Sequence, residues 1–378
     1  MNILFVGPYK QRDEMGRKSR SLLGALKRTG NKITSRPLFI GSGKDGWTYT
    51  EDAEYTSSDT YDIVVQNVLP AFTVYDGKFK KNIGVFNTHT IDTSSCSIAM
   101  SRMKLLDEVW VENKDVYKGL RNSAGATNVA LIKPCADSLQ EYFQEDDLLR
   151  RFPQGLIRNT PFGDKFIFYA MGSFEESEGV QELLCAYFSE FSLQDNCALI
   201  YVLENHADPN LINSFVSNCH KRVGALRPTT QRPLIHIMNP DVNGLTVEAR
   251  IMLHKEADCF VCPDYSLNCH SLILEAVSAQ NTPIINKNTA AYDLLGENSS
   301  WGIDSYEEKC MLNERRFDDT FTSNETCVKP TVKSLSQSMR EAYTNKFLRE
   351  KKRTHNIETT QLLSSDEYHE SLKELLCS

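Results

Sequence analysis

The residues of this chain that could do chemistry begin with a basic segment near its start. Residues 10–36 carry nine Lys or Arg and two Asp or Glu, a net charge of +7, although the whole chain carries −8. Within this segment Gly16, Arg17, Lys18 and Arg20 open an amphipathic helical stretch, where cations oppose the positive end of the helix dipole. A bound anion would relieve that repulsion, so the segment predicts either an anion site or a solvated basic face.

Two glycine-bounded turns could hold a phosphate. The first begins at Gly7, where the N-terminal apolar run ends. The second runs from Gly172 and Ser173 through Glu178 to Gly179, between an apolar run and an amphipathic helical stretch. Backbone N–H groups in such turns bind anions at the start of a helix. A turn from strand to helix also needs glycine for its own geometry, so a structural role is the alternative at the second turn.

Two further ionisable residues lie where a ligand would meet them. His89 directly follows the predicted strand 82–87, and a side chain at the carboxyl end of a parallel strand points toward the ligand crevice of an α/β fold. A histidine there can exchange a proton near neutral pH, and a structural histidine is the alternative. Glu275 lies in an apolar helical stretch, so its carboxylate needs a partner, for which sugar hydroxyls or a cation would serve.

The spacing that most resembles a metal site is the pair Cys259 and Cys262, with Cys269 and His270 shortly after it. The pair lies in a predicted strand, where residues three apart point to opposite faces and cannot bind one ion. The chain has 11 cysteines, an odd number that suits reduced thiols better than a disulfide framework. We therefore predict buried structural cysteines and no metal site.

The elements that must position these side chains alternate between short apolar runs and amphipathic stretches. Strands are predicted at 2–7, 62–67, 82–87, 108–113, 129–134, 166–171, 197–204, 233–238, 258–262 and 283–287. Helices are predicted at 14–29, 97–106, 114–124, 178–191, 207–223, 244–256 and 270–279. Nearly continuous apolar strands between helices are typical of buried parallel sheets. The fold class is therefore α/β, with two doubly wound domains that place a cleft between the carboxyl ends of their sheets.

The domain boundary is predicted in a segment rich in turn-forming residues. Residues 148–164 contain two prolines and two glycines, which is typical of an interdomain linker. We predict an N-terminal domain over 1–155, a C-terminal domain over 156–350 and a helical tail over 351–378 that packs back on the first domain. The helical region from about residue 334 offers apolar contacts at Leu335, Met339, Leu348, Leu362, Leu372 and Leu375.

Length and composition limit the class of protein. The chain has 378 residues, 40% hydrophobic and 24% charged, which suits a soluble globular protein of two domains. No apolar run reaches the roughly 18 residues of a membrane span, and the start lacks a secretory pattern, so a cytoplasmic location is expected. The net charge of −8 excludes a uniformly basic nucleic-acid-binding surface. The basic segment still leaves a polyanionic partner possible.

The order of parts along the chain is more specific than any one motif. A strand leads into a helix containing Leu-Leu-Cys-Ala-Tyr at 183–187, followed later by Ala257-Asp, an apolar strand with a proline, and Leu274-Glu-Ala. The first half adds Glu108-Val-Trp-Val-Glu-Asn and Lys133-Pro before the linker. In this order the chain resembles the GT-B glycosyltransferases, particularly the retaining family 4, over nearly its whole length.

The resemblance implies two facing Rossmann-like domains and a metal-independent, retaining transfer of a sugar from a UDP- or GDP-linked donor. It implies no cofactor, and the acceptor would be a glycan, a lipid-linked sugar or a modified nucleic acid. His89 matches a family histidine near the transferred sugar. The donor-binding residues would be Gly172, Ser173, Glu178, Gly179, His270, Ser271 and Glu275. The predicted anion site adds Gly7, Gly16, Arg17, Lys18 and Arg20.

The chain departs from the family pattern at the donor site. The family's phosphate-binding Arg aligns with Ser173, its Lys aligns with Glu178, and the first of its two donor-site glutamates falls on Leu267. A carboxylate beside a diphosphate repels it. Either the donor site is rebuilt, with cations of the basic segment and His270 as replacements, or catalysis is lost and a glycosyltransferase-like binding or scaffold protein remains. A sugar-nucleotide epimerase-like function is a further alternative.

Overall fold

The structure of the chain is a computed structural model built around two parallel sheets. The structure describes residues 1–11, 13–38, 60–86, 98–122, 128–135, 155–157, 160–204, 207–226, 231–239, 245–309, 326–363 and 366–377. Each of the two large sheets has six strands. In this part of the chain no helix combines the length and the hydropathy needed to cross a membrane.

The first sheet is formed by the N-terminal part of the chain. Its strands are β1 (Asn2–Gly7), β2 (Lys32–Pro37), β3 (Ile63–Gln66), β4 (Lys81–Val85), β5 (Glu108–Val111) and β6 (Asn128–Leu131). The helices described here are α1 (Glu14–Arg28), α2 (Ile98–Met103) and α3 (Lys114–Asn122). The strands pair in the order β2-β1-β3-β4-β5-β6, all parallel.

The second sheet repeats this architecture. Its strands are β7 (Phe166–Gly172), β8 (Cys197–Leu203), β9 (Leu234–Met238), β10 (Cys259–Cys262), β11 (Ile284–Asn286) and β12 (Trp301–Ile303). They pair in the order β12-β11-β10-β7-β8-β9, again all parallel. The accompanying helices are α4 (Val180–Glu190), α5 (Pro209–Leu226), α6 (Val247–Glu256), α7 (Ser271–Ser278) and α8 (Ala290–Ser299). An antiparallel hairpin follows, formed by β13 (Ser305–Lys309) and β14 (Thr326–Pro330).

Both faces of the second sheet are buried, which explains its apolar strands. Along β7, Ile167, Tyr169 and Met171 pack in one core cluster, whereas Phe168 and Ala170 pack in another. Alternate residues of a strand point to opposite faces, so each face has its own cover of helices. The α/β class expected from the sequence is therefore confirmed.

Each sheet has one place where the chain reverses the direction in which it adds strands. In the first sheet this switch point lies between β1 and β3, and in the second it lies between β7 and β10. Ligands of doubly wound folds bind in the crevice outside the carboxyl ends of the strands at such a point. The residues that follow β7 and β10 therefore line the crevice of the second sheet.

The C-terminal helices connect the two halves of the molecule. They are α9 (Val332–Thr344), α10 (Lys346–Leu363) and α11 (Asp366–Cys377). Helix α9 packs on α4, helix α10 packs on α7 and α8, and helix α11 returns to pack on α1. Leu372 and Leu376 join the core of the first sheet, so the expected return of the tail to the first domain is confirmed for α11, whereas residues 351–363 pack on the second half. The expected contact at Leu362 is wrong, because that side chain is 50% exposed and the neighbouring Leu363 is buried instead.

About half of the predicted linker falls outside the described residues. Within 148–164 the structure describes only 155–157 and 160–164. Leu156 and Ile157 lie against the second half, since both backbone N–H groups donate to the carboxylate of Glu256. The proposed boundaries after residues 155 and 350 stay predictions.

Candidate functional site

Helix α1 of the first half meets the start of helix α7 of the second half at the switch point of the second sheet. The N-terminus of α1 is capped by Asp13, which accepts a hydrogen bond from the backbone N–H of Gly16 at 3.0 Å. A Cβ at residue 16 would lie 2.0 Å from the carbonyl oxygen of Gln11, so the close turn before α1 requires Gly16. This turn sets the direction in which α1 approaches α7.

Glu14 joins the two helices. Its Oε1 accepts from the backbone N–H of Ser271 at 2.7 Å, and its Oε2 accepts from the Ser271 hydroxyl at 2.5 Å. His270, the N-cap of α7, places its Nδ1 3.2 Å from Oε2 of Glu14. Burial and the nearby Arg17 guanidinium lower the pKa of His270 to about 3, so its imidazole is neutral. A carboxylate of the protein thus lies at the helix N-terminus, where an anion is favoured.

Arg17 is buried in this junction. Its Nε donates to the Ser271 hydroxyl at 3.1 Å and to Glu14 at 3.2 Å, and its Nη2 pairs with Glu204. Burial alone would lower the pKa of Arg17, but the carboxylates of Glu204 and Glu14 outweigh it and raise the pKa. Arg17 is therefore a charged side chain at the cleft, and protein carboxylates already neutralise it.

Lys18 and Arg20 are also held by the protein. Lys18 lies 2.9 Å from the carboxylate of Glu112, which also accepts from the backbone N–H of Cys269 at 3.2 Å. Burial opposes the charge, but Glu112 raises the pKa of Lys18 above its usual value. Arg20 donates to the carbonyl oxygens of Tyr9 and residue 11, which fixes the loop before α1. The interpretation of these three cations as a solvated basic face is therefore wrong.

A cavity opens beside Lys18, between the two halves of the molecule. Its enclosed volume is about 10 Å³, room for about one water molecule, and the rest of it is open to solvent. The side chains around it come mostly from the carboxyl ends of the first sheet, with two from the second half, and they are Lys18, Leu22, Asn67, Val85, Glu112, Ile132, Pro134, Cys135, Cys269 and Ser271. This mixture of polar and apolar lining groups would suit a polyhydroxylated ligand with a hydrophobic face.

Glu275 has a partner inside the protein. Arg250 donates to its two carboxylate oxygens at 2.5 and 3.0 Å, and Nε2 of His254 lies 3.6 Å away. Burial opposes the charge, but the Arg250 guanidinium and His254 hold the pKa of Glu275 well below its usual range. His254 in turn contacts the Tyr169 hydroxyl through Nδ1 at 2.6 Å. Of the two partners that the sequence left open, sugar hydroxyls or a cation, the structure shows the cation.

The turn after β7 brings a second carboxylate to the crevice. Ser173 donates from its hydroxyl to Glu178 at 3.0 Å and to Glu175 at 3.1 Å. A Cβ at residue 172 would lie 2.7 Å from Oε2 of Glu178, so Gly172 allows this carboxylate to lie against the strand end. Gly179 has a φ of +65° and ends the short 3-10 helix that carries Glu178. The structure of the turn therefore explains both glycines, and the turn positions the acidic side chain of Glu178.

Three ionisable side chains meet at the same point. Glu178 from the turn after β7, Asp264 from the segment after β10 and His270 at the start of α7 bring one ligand-type atom each to within 4.8 Å of one another. Asp264 and His270 are buried. The sequence singled out Glu178 and His270 separately, but it did not single out Asp264 or predict the meeting.

Three other predicted positions have different outcomes. Gly7 lies against helix α1, where an added Cβ would contact the carbonyl of Asn67 at 3.1 Å and the hydroxyl of Ser19 at 3.2 Å. Cys259 and Cys262 pack in different core clusters, which confirms that they point to opposite faces of β10. His89 lies outside the described residues, so its place at the cleft stays a prediction.

Comparison with protein-family models gives no match, and comparison with curated proteins gives none either. Solved structures match along the whole chain. Sucrose-phosphate synthase from Thermosynechococcus elongatus is 12% identical, with a TM-score of 0.64 over 100% of this chain and 98% of that one. HepE from Anabaena, in complex with UDP and glucose, is 12% identical, with a TM-score of 0.64 over 100% and 99% of the two chains. Trehalose-6-phosphate synthase OtsA is 10% identical, with a TM-score of 0.62 over 100% and 99%.

The chain has the GT-B fold. All three structures are GT-B glycosyltransferases. At identities of 10–12% such likeness shows the fold and leaves the reaction to be argued from the site. Membership of family 4 stays a prediction.

Within the GT-B fold, sequence reasoning missed the residues that join the two halves. Glu112 and Glu204 each follow the end of a parallel strand, β5 and β8, and this position was a signal that could have indicated them. Asn113 was missed too, although its side-chain amide donates to the carbonyls of Leu267 at 3.0 Å and of Asn288 at 2.9 Å. These contacts bring the carboxyl ends of the two sheets together at one cleft.

Proposed function

We propose that this protein transfers a sugar, with retention of configuration, from a UDP- or GDP-linked donor to an acceptor. One observation carries the proposal. The carboxyl ends of the two parallel sheets meet through α1 and α7, and a solvent-open pocket lies between Lys18 and Ser271 at this junction. The GT-B structure of HepE was solved with UDP and glucose, and another GT-B structure from E. coli was bound with UDP-2-fluoro glucose.

The donor would bind at the crevice of the second half. The segment from Gly172 to Gly179 and the start of α7 at Ser271 border that crevice. Arg17 would stabilise the negative charge of the departing nucleoside diphosphate, because it stays charged in a buried position next to Ser271. His89 would lie near the transferred sugar. We name no protein nucleophile for the retaining step.

The acceptor would bind at the solvent-open mouth of this pocket, on the side of the first sheet. Lys18, Asn67 and Glu112 offer hydrogen-bonding groups there, and Leu22 and Ile132 offer an apolar surface. Such a mixture suits a sugar, whose hydroxyls and apolar ring face need both kinds of contact. A glycan, a lipid-linked sugar or a modified nucleic acid would each present this group. We also propose the cytoplasm as the place of action.

A second function is favoured by one specific observation. Glu14 occupies the N-terminus of α7, and Glu178 stands where the resemblance implies a Lys. A diphosphate that approached α7 would have to displace the Glu14 carboxylate. A glycosyltransferase-like binding or scaffold protein without catalysis would have this arrangement.

Nucleotide binding and donor hydrolysis distinguish the two functions. For the enzyme we expect UDP or GDP to raise the thermal unfolding midpoint, and the matching sugar donor to be hydrolysed slowly without acceptor. His89→Ala should keep nucleotide binding and lose at least about 100-fold in hydrolysis, because a lost proton-transfer group costs that much. His355→Ala, on the exposed side of α10, is the control and should keep both.

Two results decide against the enzyme. Nucleotide binding without hydrolysis of any donor would favour the binding protein. No nucleotide binding and no hydrolysis would overturn glycosyl transfer altogether.

A further inference from the structure

A histidine and two carboxylates form a cluster at the switch point of the second sheet. One ring nitrogen of His270, one oxygen of Glu178 and one oxygen of Asp264 lie within 4.8 Å of one another. The three residues come from the two segments that border the crevice, Glu178 from the turn after β7 and Asp264 and His270 from the connection between β10 and α7. This is the position in which a doubly wound sheet binds its ligand.

The imidazole of His270 lies beside a carboxylate that could hold it as a metal ligand. The side chain is 5% exposed, and its Nδ1 lies 3.2 Å from the carboxylate of Glu14. Nδ1 also lies 3.3 Å from the backbone N–H of Leu272, from which it accepts a hydrogen bond when the ring proton is on Nε2. Metal binding through Nε2 requires that proton to move to Nδ1, which would then donate to Glu14 and give up the long contact with Leu272. No hydrogen bond reaches Nε2 from the residues that the structure describes. Histidines that bind metals commonly donate their other ring N–H to a carboxylate in this way.

The carboxylate of Glu178 is held in place before any ion arrives. The Ser173 hydroxyl donates to its Oε1 at 3.0 Å. A Cβ at residue 172 would come within 2.7 Å of its Oε2, so Gly172 leaves room for the carboxylate in this position. His270 and Glu178 are thus each held by a residue outside the cluster, His270 by Glu14 and Glu178 by Ser173.

We propose that Glu178, Asp264 and His270 bind one divalent cation, with Mn²⁺ and Zn²⁺ as the best matches. Carboxylate oxygens suit Mn²⁺, and an imidazole nitrogen suits transition metals such as Zn²⁺. Ligand atoms about 2.1 Å from a metal lie about 3 Å apart, so the cluster closes by less than about 2 Å on binding. Three protein ligands leave coordination positions open for a further ligand.

The identity of that further ligand rests on the proposed function. A Glu at position 178 repels a diphosphate, but a cation bound to this Glu attracts one, because the ion is the largest local charge. The cation would therefore take the place of the missing Lys and coordinate the diphosphate oxygens of the donor. This would make the transfer metal-dependent, contrary to what the family resemblance implies.

Metal titration of the full chain tests the cation site directly. The protein is treated with EDTA, dialysed and titrated with MnCl₂ while free Mn²⁺ is counted by electron paramagnetic resonance, and ZnCl₂ is then added as competitor. We expect saturable binding that Glu178→Gln, Asp264→Asn and His270→Gln each weaken at least about 10-fold. Glu176→Gln is the matched control, because it removes a carboxylate two residues away that pairs with Lys329. The control should bind Mn²⁺ as the unchanged protein does.

Two results of this titration would overturn the site. One is the absence of saturable Mn²⁺ or Zn²⁺ binding up to about 1 mM. The other is binding that Glu178→Gln retains in full. Glu178 is half-buried, whereas Asp264 and His270 are buried, so the Glu178 variant is the least disturbing of the three. Its thermal unfolding midpoint is compared with that of Glu176→Gln to confirm that both fold.

The role in donor binding has its own test. We expect Mn²⁺ to tighten binding of UDP or GDP at least about 10-fold in the unchanged protein. Glu178→Lys should bind the nucleotide without Mn²⁺ and no longer respond to the ion, because the ammonium group replaces the cation. Mn²⁺ binding without any effect on nucleotide affinity would overturn this role in donor binding, but the cation site itself would still be supported. Failure of every nucleotide to bind would overturn the proposed function, whereas the titration alone decides the cation site.

Discussion

Glu275 has the residue type that the resemblance implies, and the structure assigns its carboxylate to Arg250. The two side chains are 25 residues apart in the chain and meet because α6 packs on α7. Sequence reasoning could state that a buried carboxylate needs a partner. It could not choose between a sugar and a cation, because that choice depends on how two helices pack.

Arg250→Met tests whether this ion pair has a structural role. Removal of one partner of a buried pair leaves an uncompensated charge, so we expect a loss of about 3–5 kcal/mol in the free energy of unfolding. The double variant with Glu275→Leu should recover most of the loss, because no buried charge remains. Urea unfolding measures both. A loss no larger than that of Lys118→Met, which breaks an exposed pair, would contradict the prediction.

His254 should make stability depend on pH. Burial lowers its pKa, so the folded state resists a proton that the unfolded state accepts below about pH 6.5. The stabilisation is therefore complete above pH 6.5 and is lost as the pH falls. We expect His254 to account for a loss of up to about 1.4 kcal/mol at pH 5.5.

Urea unfolding at pH 7.5 and pH 5.5 measures this effect. His270 contributes with the same sign, since its pKa is lowered to about 3. His254→Gln should therefore reduce the pH dependence and keep the part due to His270. His355→Gln, on the exposed side of α10, should leave it unchanged. An unchanged pH dependence in His254→Gln would show that His254 is not the group responsible.

At the scale of elements, hydrophobic periodicity predicted most buried strands and helices and missed the marginal ones. Strand β2 (Lys32–Pro37) has a polar sequence and lies at the edge of its sheet, where a strand is less buried. Strand β12 (Trp301–Ile303) is also an edge strand, and it has only three residues. An edge strand that is polar, like β2, or very short, like β12, carries little hydrophobic periodicity to detect.

The turn between β7 and α4 allows a comparison of two glycines. Gly179 has a φ of +65°, and a Cβ there would lie 2.3 Å from the carbonyl oxygen of Pro263. Gly179→Ala should therefore lose at least about 1–2 kcal/mol in the free energy of unfolding. Gly224→Ala is the control, because residue 224 lies within α5 and a Cβ there meets nothing within 4 Å.

Gly224→Ala, the control, should gain about 0.5–1 kcal/mol in the free energy of unfolding, since alanine is more favourable than glycine inside a helix. Urea unfolding of the two variants side by side gives the comparison. Equal effects of the two substitutions would show that the backbone at Gly179 is not constrained as the structure indicates. Because Pro263 directly precedes Asp264, the Gly179 variant should also weaken Mn²⁺ binding if the proposed cation site exists.

At the scale of the whole molecule, the sequence predicted two doubly wound halves and a helical tail that returns to the first. The tail's path could be predicted because its apolar residues recur at helical spacing and need a surface to cover. The exact contacts could not be predicted. Leu362 and Leu363 are adjacent, and only the packing of α10 decides that Leu363 is buried and Leu362 is exposed. The salt bridges between the halves were invisible for the same reason, since Arg17 and Glu204 lie far apart in the chain.

The return of the tail gives a test of how the two halves depend on each other. Leu372 of α11 is 4% exposed and packs with Ile3 and Phe5 of the first sheet, although it follows the whole second half in the chain. Leu372→Ala should cost about 2–5 kcal/mol in the free energy of unfolding, as for other buried leucines. It should also speed amide hydrogen exchange in β1. Leu362→Ala removes an equal number of atoms from an exposed position and should change neither quantity measurably. If the two variants behave alike, α11 does not stabilise the first half, and the tail would be a dispensable extension of the second.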